Sequence, residues 1–323
     1  MAAQTQGTLP IDAVDRRYHP RVFQYVGAAD GPRVLVVAGL HGSEVSSIEA
    51  AYRVIRDLGT IEVHGTVTVI PIVNAGGFFA RSLYVNPLDG KNVNRSFPGN
   101  IDGSPSERLA AALMASYVSE ADAVFDLHGG DLVEALDPFL LVDPGLRGVP
   151  NVASLVLAQA TGFPQVIASR VQGSLVGAAS EMGKAAVLIE AGQQGVVTES
   201  NVELLRLAVW RGLRGLGTLS DSGCASIRSD AGTPIGALGV YRNGWSWLSS
   251  SDDGIWKPRV RVGQTVSDGE PLGIVESLDT RDVVRVVTSP HAGCVVFLVT
   301  ALSTTPGTPL LAVARESSSW PRV

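Results

Sequence analysis

Residues 34–40 read VLVVAGL, apolar at every position, and this run constrains the fold more than any other feature of the chain. A strand facing water on one side alternates apolar and polar residues; one that does not alternate is covered on both faces, as in a parallel sheet with helices on either side. The sequence after it agrees. In SEVSSIEAAYRVIRDLG, Val45, Ile48, Ala51, Tyr52 and Ile55 recur at helical spacing and Gly59 supplies a stop. GTVTVIPIVN reads as the next strand, and SPSERLAAALMASYVSEA opens with a serine–proline helix start before DAVFDLH returns to strand. PFLLVD, VASLVLAQA, GSLVGAASEMG, AAVLIEAG and ESNVELLRLAVWRGLRGLG continue the alternation. The pattern predicts an α/β domain over 1–217, with a mixed, mainly parallel sheet flanked by helices.

Beyond Gly217 the texture changes. TLSDSGCASIRSDAGTP is rich in Ser, Gly and Asp and reads as a linker. The remainder of the chain has short β-branched runs separated by Gly, Pro and Asp turn signals and no amphipathic helix, so 218–323 is expected to be a smaller all-β domain.

Composition narrows the function. The 323 residues are 45% hydrophobic and 17% charged, enough apolar material for a large core. The formal net charge of −6, without a polybasic block, argues against a nucleic-acid partner. The N-terminus lacks a basic start followed by an apolar segment, and no run reaches the length needed to cross a bilayer, so no membrane association and a cytoplasmic location are expected. Two distant cysteines, Cys224 and Cys294, offer neither a disulfide framework nor a paired-cysteine metal site.

In an open parallel sheet, ligands bind beyond the carboxyl ends of the strands. Three apolar runs end in chemistry: VLVVAGL leads to His41 and Glu44, VFDLHGG to His128, and VLIEAGQQG to Glu190. Two histidines and a carboxylate make a catalytic zinc set that leaves the fourth position open. Each residue alone also has a plainer use, the histidines as turn residues and Glu44 as a complement to a helix dipole. Asp126, two residues before His128, is expected on the other face of its strand in a structural role. The loop VNPLDGKNVNRSFPGN compresses Asn86, Asp89, Asn92, Asn94 and Arg95 into one stretch, where Arg95 could grip a substrate carboxylate with Asn94 beside it. A solvated loop held by Asx turns is the alternative.

HGSE, NVNRSFPG, DLHGG and IEAGQQG, in that order between α/β elements, resemble the succinylglutamate desuccinylase and aspartoacylase family of zinc-dependent deacylases. The resemblance spans roughly 33–217 and implies a zinc-carboxypeptidase-like core with a trailing β module. It also implies one Zn2+ per chain on His41, Glu44 and His128. The substrate carboxylate would be held by Asn94 and Arg95, and Glu190 would be the general base. Where well-studied members carry the arginine that polarises the scissile carbonyl, seven residues before the asparagine, this chain has Pro87; Arg81 is the nearest candidate. The expected reaction is removal of an acyl group from a small N-acylated amino acid or amine. A metallocarboxypeptidase acting on peptides and a non-catalytic binding or assembly protein are the alternatives.

The C-terminal region resembles the hammerhead of biotinyl and lipoyl carrier domains, but its hairpin position reads DTRD and has no lysine to modify. Capping the site, shaping the substrate pocket or forming a homo-oligomer are the roles left to it. Trp245, Trp247 and Trp256, at its entry, are expected in a core or interface, with the mouth of the site as the alternative. His64 and His291 are expected at turns or on the surface.

Overall fold

The structure is a computed structural model that describes residues 3–11, 18–145, 151–220 and 238–321. Most of the expected linker, including Cys224, lies outside the described residues.

A ten-stranded sheet runs through the molecule in the order Ala3–Thr8, Arg21–Val26, His64–Ile70, Ala29–Ala38, Ala123–His128, Ala185–Glu190, Phe139–Val142, Gln165–Ala168, Val240–Arg242, Ser317–Ser318. Its centre is parallel: Ala29–Ala38 pairs in that sense with both His64–Ile70 and Ala123–His128, and Ala123–His128 with Ala185–Glu190. Phe139–Val142 then enters antiparallel to Ala185–Glu190, which makes the sheet mixed. The central strands are buried on both faces. Alternate residues divide between two apolar cores: Val34, Val36, Phe125 and Leu127 on one side, Leu35, Val37, Val124 and Leu188 on the other.

Three helices cover the first face: Val45–Leu58, Val152–Thr161 and Glu199–Gly215. The first begins beside Glu44 and stops at Gly59, as its periodicity predicts. Pro105–Leu113 and Leu175–Glu181 contribute to the second core. Pro105–Leu113 is entered at Ser104, whose backbone N–H donates to the Glu107 carboxylate at 2.8 Å, the acidic half of a capping box.

The C-terminal region is β throughout its described part and forms two further sheets. One contains Pro271–Glu276 between Gly254–Pro258 and Val283–Thr288; the other is built on Gly293–Val299 and Pro309–Arg315. Trp256, wholly buried, centres a separate apolar cluster there. The region is also tied to the α/β part. Val240–Arg242 extends the main sheet parallel to Gln165–Ala168, and Gly293–Val299 pairs with Glu134–Leu136 so that Phe297 faces Leu136 and Val299 faces Glu134. That pairing fixes the β region against the segment just after His128.

Candidate active site

The apolar strands end at one side of the sheet, and the residues just beyond them converge. His41 and Glu44 lie between Ala29–Ala38 and its helix, His128 is the last residue of its strand, and Glu190 lies opposite it in register. The ligand atoms of His41, Glu44 and His128 fall within 4.8 Å of one another, and all three residues are buried. His41 Nδ1 is 2.6 Å from Glu44 Oε1 and His128 Nδ1 is 2.7 Å from Glu44 Oε2.

The far nitrogens of both rings are engaged elsewhere. His41 Nε2 is 3.0 Å from Asn92 Oδ1, and His128 Nε2 is 3.0 Å from Asp126 Oδ1. For His41 the Asn92 acceptor favours the proton on Nε2 and leaves the Nδ1 lone pair turned inward, while His128 Nε2 lies between the Asp126 carboxylate and the Asn94 amide nitrogen. The donor set therefore fits zinc: two inward ring nitrogens and one carboxylate, gathered in a buried pocket.

The structure corrects the expectation for Asp126. Residues two apart on a strand return to the same face, so Asp126 lies on the His128 side and orients its ring. Asp126→Asn is predicted to lower zinc affinity about 10- to 100-fold without unfolding the chain, measured by competition with a chelator.

Burial pushes the Glu44 carboxyl up, but the charges and hydrogen bonds of His41 and His128 outweigh it and hold the group down to about 2. Burial opposes a charge on His128 as well, yet Asp126 and Glu44 keep its pKa well above the ordinary imidazole value. Glu190 is shifted the other way: burial, reinforced by the charge of Glu44, raises it well above an ordinary carboxyl. Its Oε2 is buried with no hydrogen-bond partner among the described residues.

These side chains line one cavity of about 1220 Å³. Arg95 is on its wall, with Nη1 donating to the Asn94 carbonyl at 2.7 Å. The loop bearing Arg95 packs so tightly that a Cβ on Gly173 would meet the Arg95 carbonyl oxygen at 2.5 Å; Gly173 also has φ +71°, a conformation that suits glycine. Asn94 is buried and its amide is used within the protein. Its oxygen accepts from the Leu175 N–H at 2.9 Å, and its nitrogen lies 3.0 Å from His128 Nε2 and 3.4 Å from Asp126 Oδ2.

Arg81 is not brought to this cavity. It caps the helix Ala75–Ala80 in a left-handed conformation and lines a separate space with Phe78, Phe79 and Leu132. Other groups reach the cavity that sequence reasoning did not single out: Tyr84, Glu134 and Arg170. Arg170 is held by Asp143 at 3.3 Å. Trp245 and Trp247 are on the cavity wall, whereas Trp256 is core.

Glu134 accepts from the Tyr84 hydroxyl at 2.7 Å and from the Asp131 N–H at 2.8 Å. Burial pushes its carboxyl up to about 7, against the pull of these two hydrogen bonds. The unfolded chain releases this proton near pH 4.5, while the folded, metal-free protein keeps it until about pH 7. Between those values the unfolded state binds fewer protons, so stability falls as pH rises, by at most about 3 kcal/mol from this group. Urea unfolding of metal-free protein at pH 5 and 7.5 should show the loss, and Glu134→Gln should remove that part of it.

A His–Glu–His cluster beyond the carboxyl ends of a mainly parallel, helix-covered sheet, with a half-buried glutamate lining the same cavity, defines an α/β protein with a candidate metal centre at its strand ends. Residues 30–216 match the succinylglutamate desuccinylase/aspartoacylase catalytic domain, and the chain belongs to that family. The N-alpha-acetyl-L-2,4-diaminobutyric acid deacetylase of Halomonas elongata is 36% identical over 114 residues, which are 35% of this chain and 33% of that protein. The match thus spans about a third of that relative's length. Over 98% of the chain the fold is similar to the product-bound ectoine utilization protein EutE (DoeB) of Ruegeria pomeroyi, with TM-score 0.81, 21% identity and 96% of that chain covered. A succinylglutamate desuccinylase/aspartoacylase from Rhodobacter sphaeroides gives TM-score 0.81 at 20% identity, covering 98% of this chain and 97% of its own. At these identities the likeness establishes the fold, including the trailing β region. No helix among the described residues is long and apolar enough to cross a membrane.

Proposed function

We propose that this chain is a zinc-dependent amidohydrolase that removes the acyl group from an N-acylated amino acid or related small amine. One observation carries the reading: His41, Glu44 and His128 converge with Glu190 on a single cavity, with both Nδ1 atoms turned to the Glu44 carboxylate. The deacetylase activity named for the Halomonas relative supports the reaction class.

His41, Glu44 and His128 would hold one zinc ion per chain, which supplies Lewis acidity to activate water near neutral pH and to polarise the scissile carbonyl. Glu190 takes the proton from the attacking water and delivers it to the departing amine. Asp126 and Asn92 hold the two imidazoles in the required orientation. Arg95 binds the substrate carboxylate through its planar fork, with Asn94 beside it on the cavity wall, its amide oxygen held by the Leu175 N–H. The products are a carboxylic acid and a free amine.

The test is release of free amine by zinc-loaded protein from a panel of N-acetyl and N-succinyl amino acids, run beside peptides with free C-termini. Turnover of the acylated amino acids is expected. Turnover of the peptides alone would replace this reading with a carboxypeptidase.

A further inference from the structure

The cavity is larger, and on one wall more apolar, than a small acylated amino acid requires. Its volume of about 1220 Å³ exceeds the roughly 300–1,000 Å³ usual for sites that enclose drug-sized ligands. Its charged side chains come from the strand ends and loops of the α/β part. The wall contributed by the C-terminal region carries none: apart from hydroxyls it consists of Trp245, Trp247, Phe297, Val299, Ala301 and Pro309.

The aromatic rings on this wall form a continuous series. Phe139 meets Trp245 edge-on at 5.2 Å, Trp245 meets Trp247 at 5.3 Å, and Trp247 lies 4.6 Å from Phe297. The series is anchored at both ends. Phe139 belongs to the main sheet, and Phe297 is fixed by its pairing with Leu136. Trp247 nevertheless remains 46% exposed. An indole left half in water on the wall of a cavity that also holds a candidate metal cluster is apolar surface awaiting a ligand.

We propose that Trp245, Trp247 and Phe297 form an apolar subsite, and that the substrate is an N-acylated amine carrying a sizeable apolar group, in its acyl chain or its amine portion, that packs against them. The proposal rests on the deacylase reading for its chemistry, but the subsite can be tested by binding alone. Each methylene that this wall removes from water should strengthen the interaction about three- to four-fold.

Two series separate the sources. In one, the acyl chain on a fixed amino acid lengthens from acetyl to decanoyl; in the other, the acyl group stays acetyl while an aliphatic amino-acid side chain lengthens. With zinc-loaded protein, kcat/KM is expected to climb about three- to four-fold per methylene over at least four steps in one series, and the climb should flatten in Trp247→Ala. The series that climbs identifies which end of the substrate the wall receives. A flat or falling profile in both overturns the proposal. So does a climb that persists unchanged in Trp245→Ala, Trp247→Ala and Phe297→Ala; loss of a dimer in Trp247→Ala with the climb intact would make that residue an interface contact. If no acylated amine is hydrolysed, the deacylase reading fails, and quenching of tryptophan fluorescence by the same compounds decides the subsite separately. Affinity rising with chain length supports it, and affinity independent of length overturns it.

Discussion

Replacing Glu190 by glutamine is expected to lower kcat about 10²- to 10⁴-fold while leaving zinc content and KM near wild type. The amide has the carboxyl's shape and volume but cannot take a proton. Glu190 ends the strand Ala185–Glu190 in register with His128, and an isosteric glutamine there is expected to leave His41, Glu44, His128 and the sheet in place. The carboxyl's buried, unpartnered Oε2 leaves no internal hydrogen-bond network for the glutamine to break. A loss of this size confined to kcat is the signature of an interaction made only in the transition state. Steady-state kinetics on protein of verified zinc content measures it, and activity close to wild type would remove Glu190 from the proton transfer.

The second large effect concerns stability. Trp256→Ala should destabilise the C-terminal region by about 3–5 kcal/mol, in the range for emptying a fully buried aromatic site. Trp256 is 0% exposed, packs among Val266, Leu272, Val275 and Leu311, and donates its indole N–H to the Val299 carbonyl at 3.1 Å. The same Val299 lines the active-site cavity, so the loss of packing should be felt there too. Trp256→Phe, which keeps most of the ring, should cost much less. Urea unfolding followed by circular dichroism distinguishes the two, and equal midpoints would show that this core does not support the region.

Much of the fold was legible because burial writes itself into periodicity. VLVVAGL reads as a two-face-buried strand and the helix after it as amphipathic, and the structure has Ala29–Ala38 and Val45–Leu58 there. Strands of two or three residues carry no such signal. Val240–Arg242, Ser317–Ser318 and Glu134–Leu136, through which the C-terminal region joins the rest, are specified by tertiary pairing instead of local pattern.

The site divides in the same way. His41, Glu44, His128 and Glu190 stand out in sequence because each interrupts an apolar run with chemistry. Asp126 was misread as lying on the other face, although the two-residue period of its strand places it on the His128 side. Tyr84, Glu134 and Arg170 were not readable, because they come from loops and a short strand whose meeting depends on the packed structure. Arg81 shows the converse: nearness in sequence to NVNRSFPG does not bring it to the cavity, because the helix Ala75–Ala80 ends by turning it elsewhere.

His41, Glu44 and His128 are proposed to hold a zinc ion that the reaction uses, and metal content measured together with activity tests this most directly. Purified protein should contain about one zinc per chain, a chelator should remove metal and amine release together, added zinc should restore both, and His128→Ala should have neither. Full hydrolytic activity in protein free of metal would contradict the account.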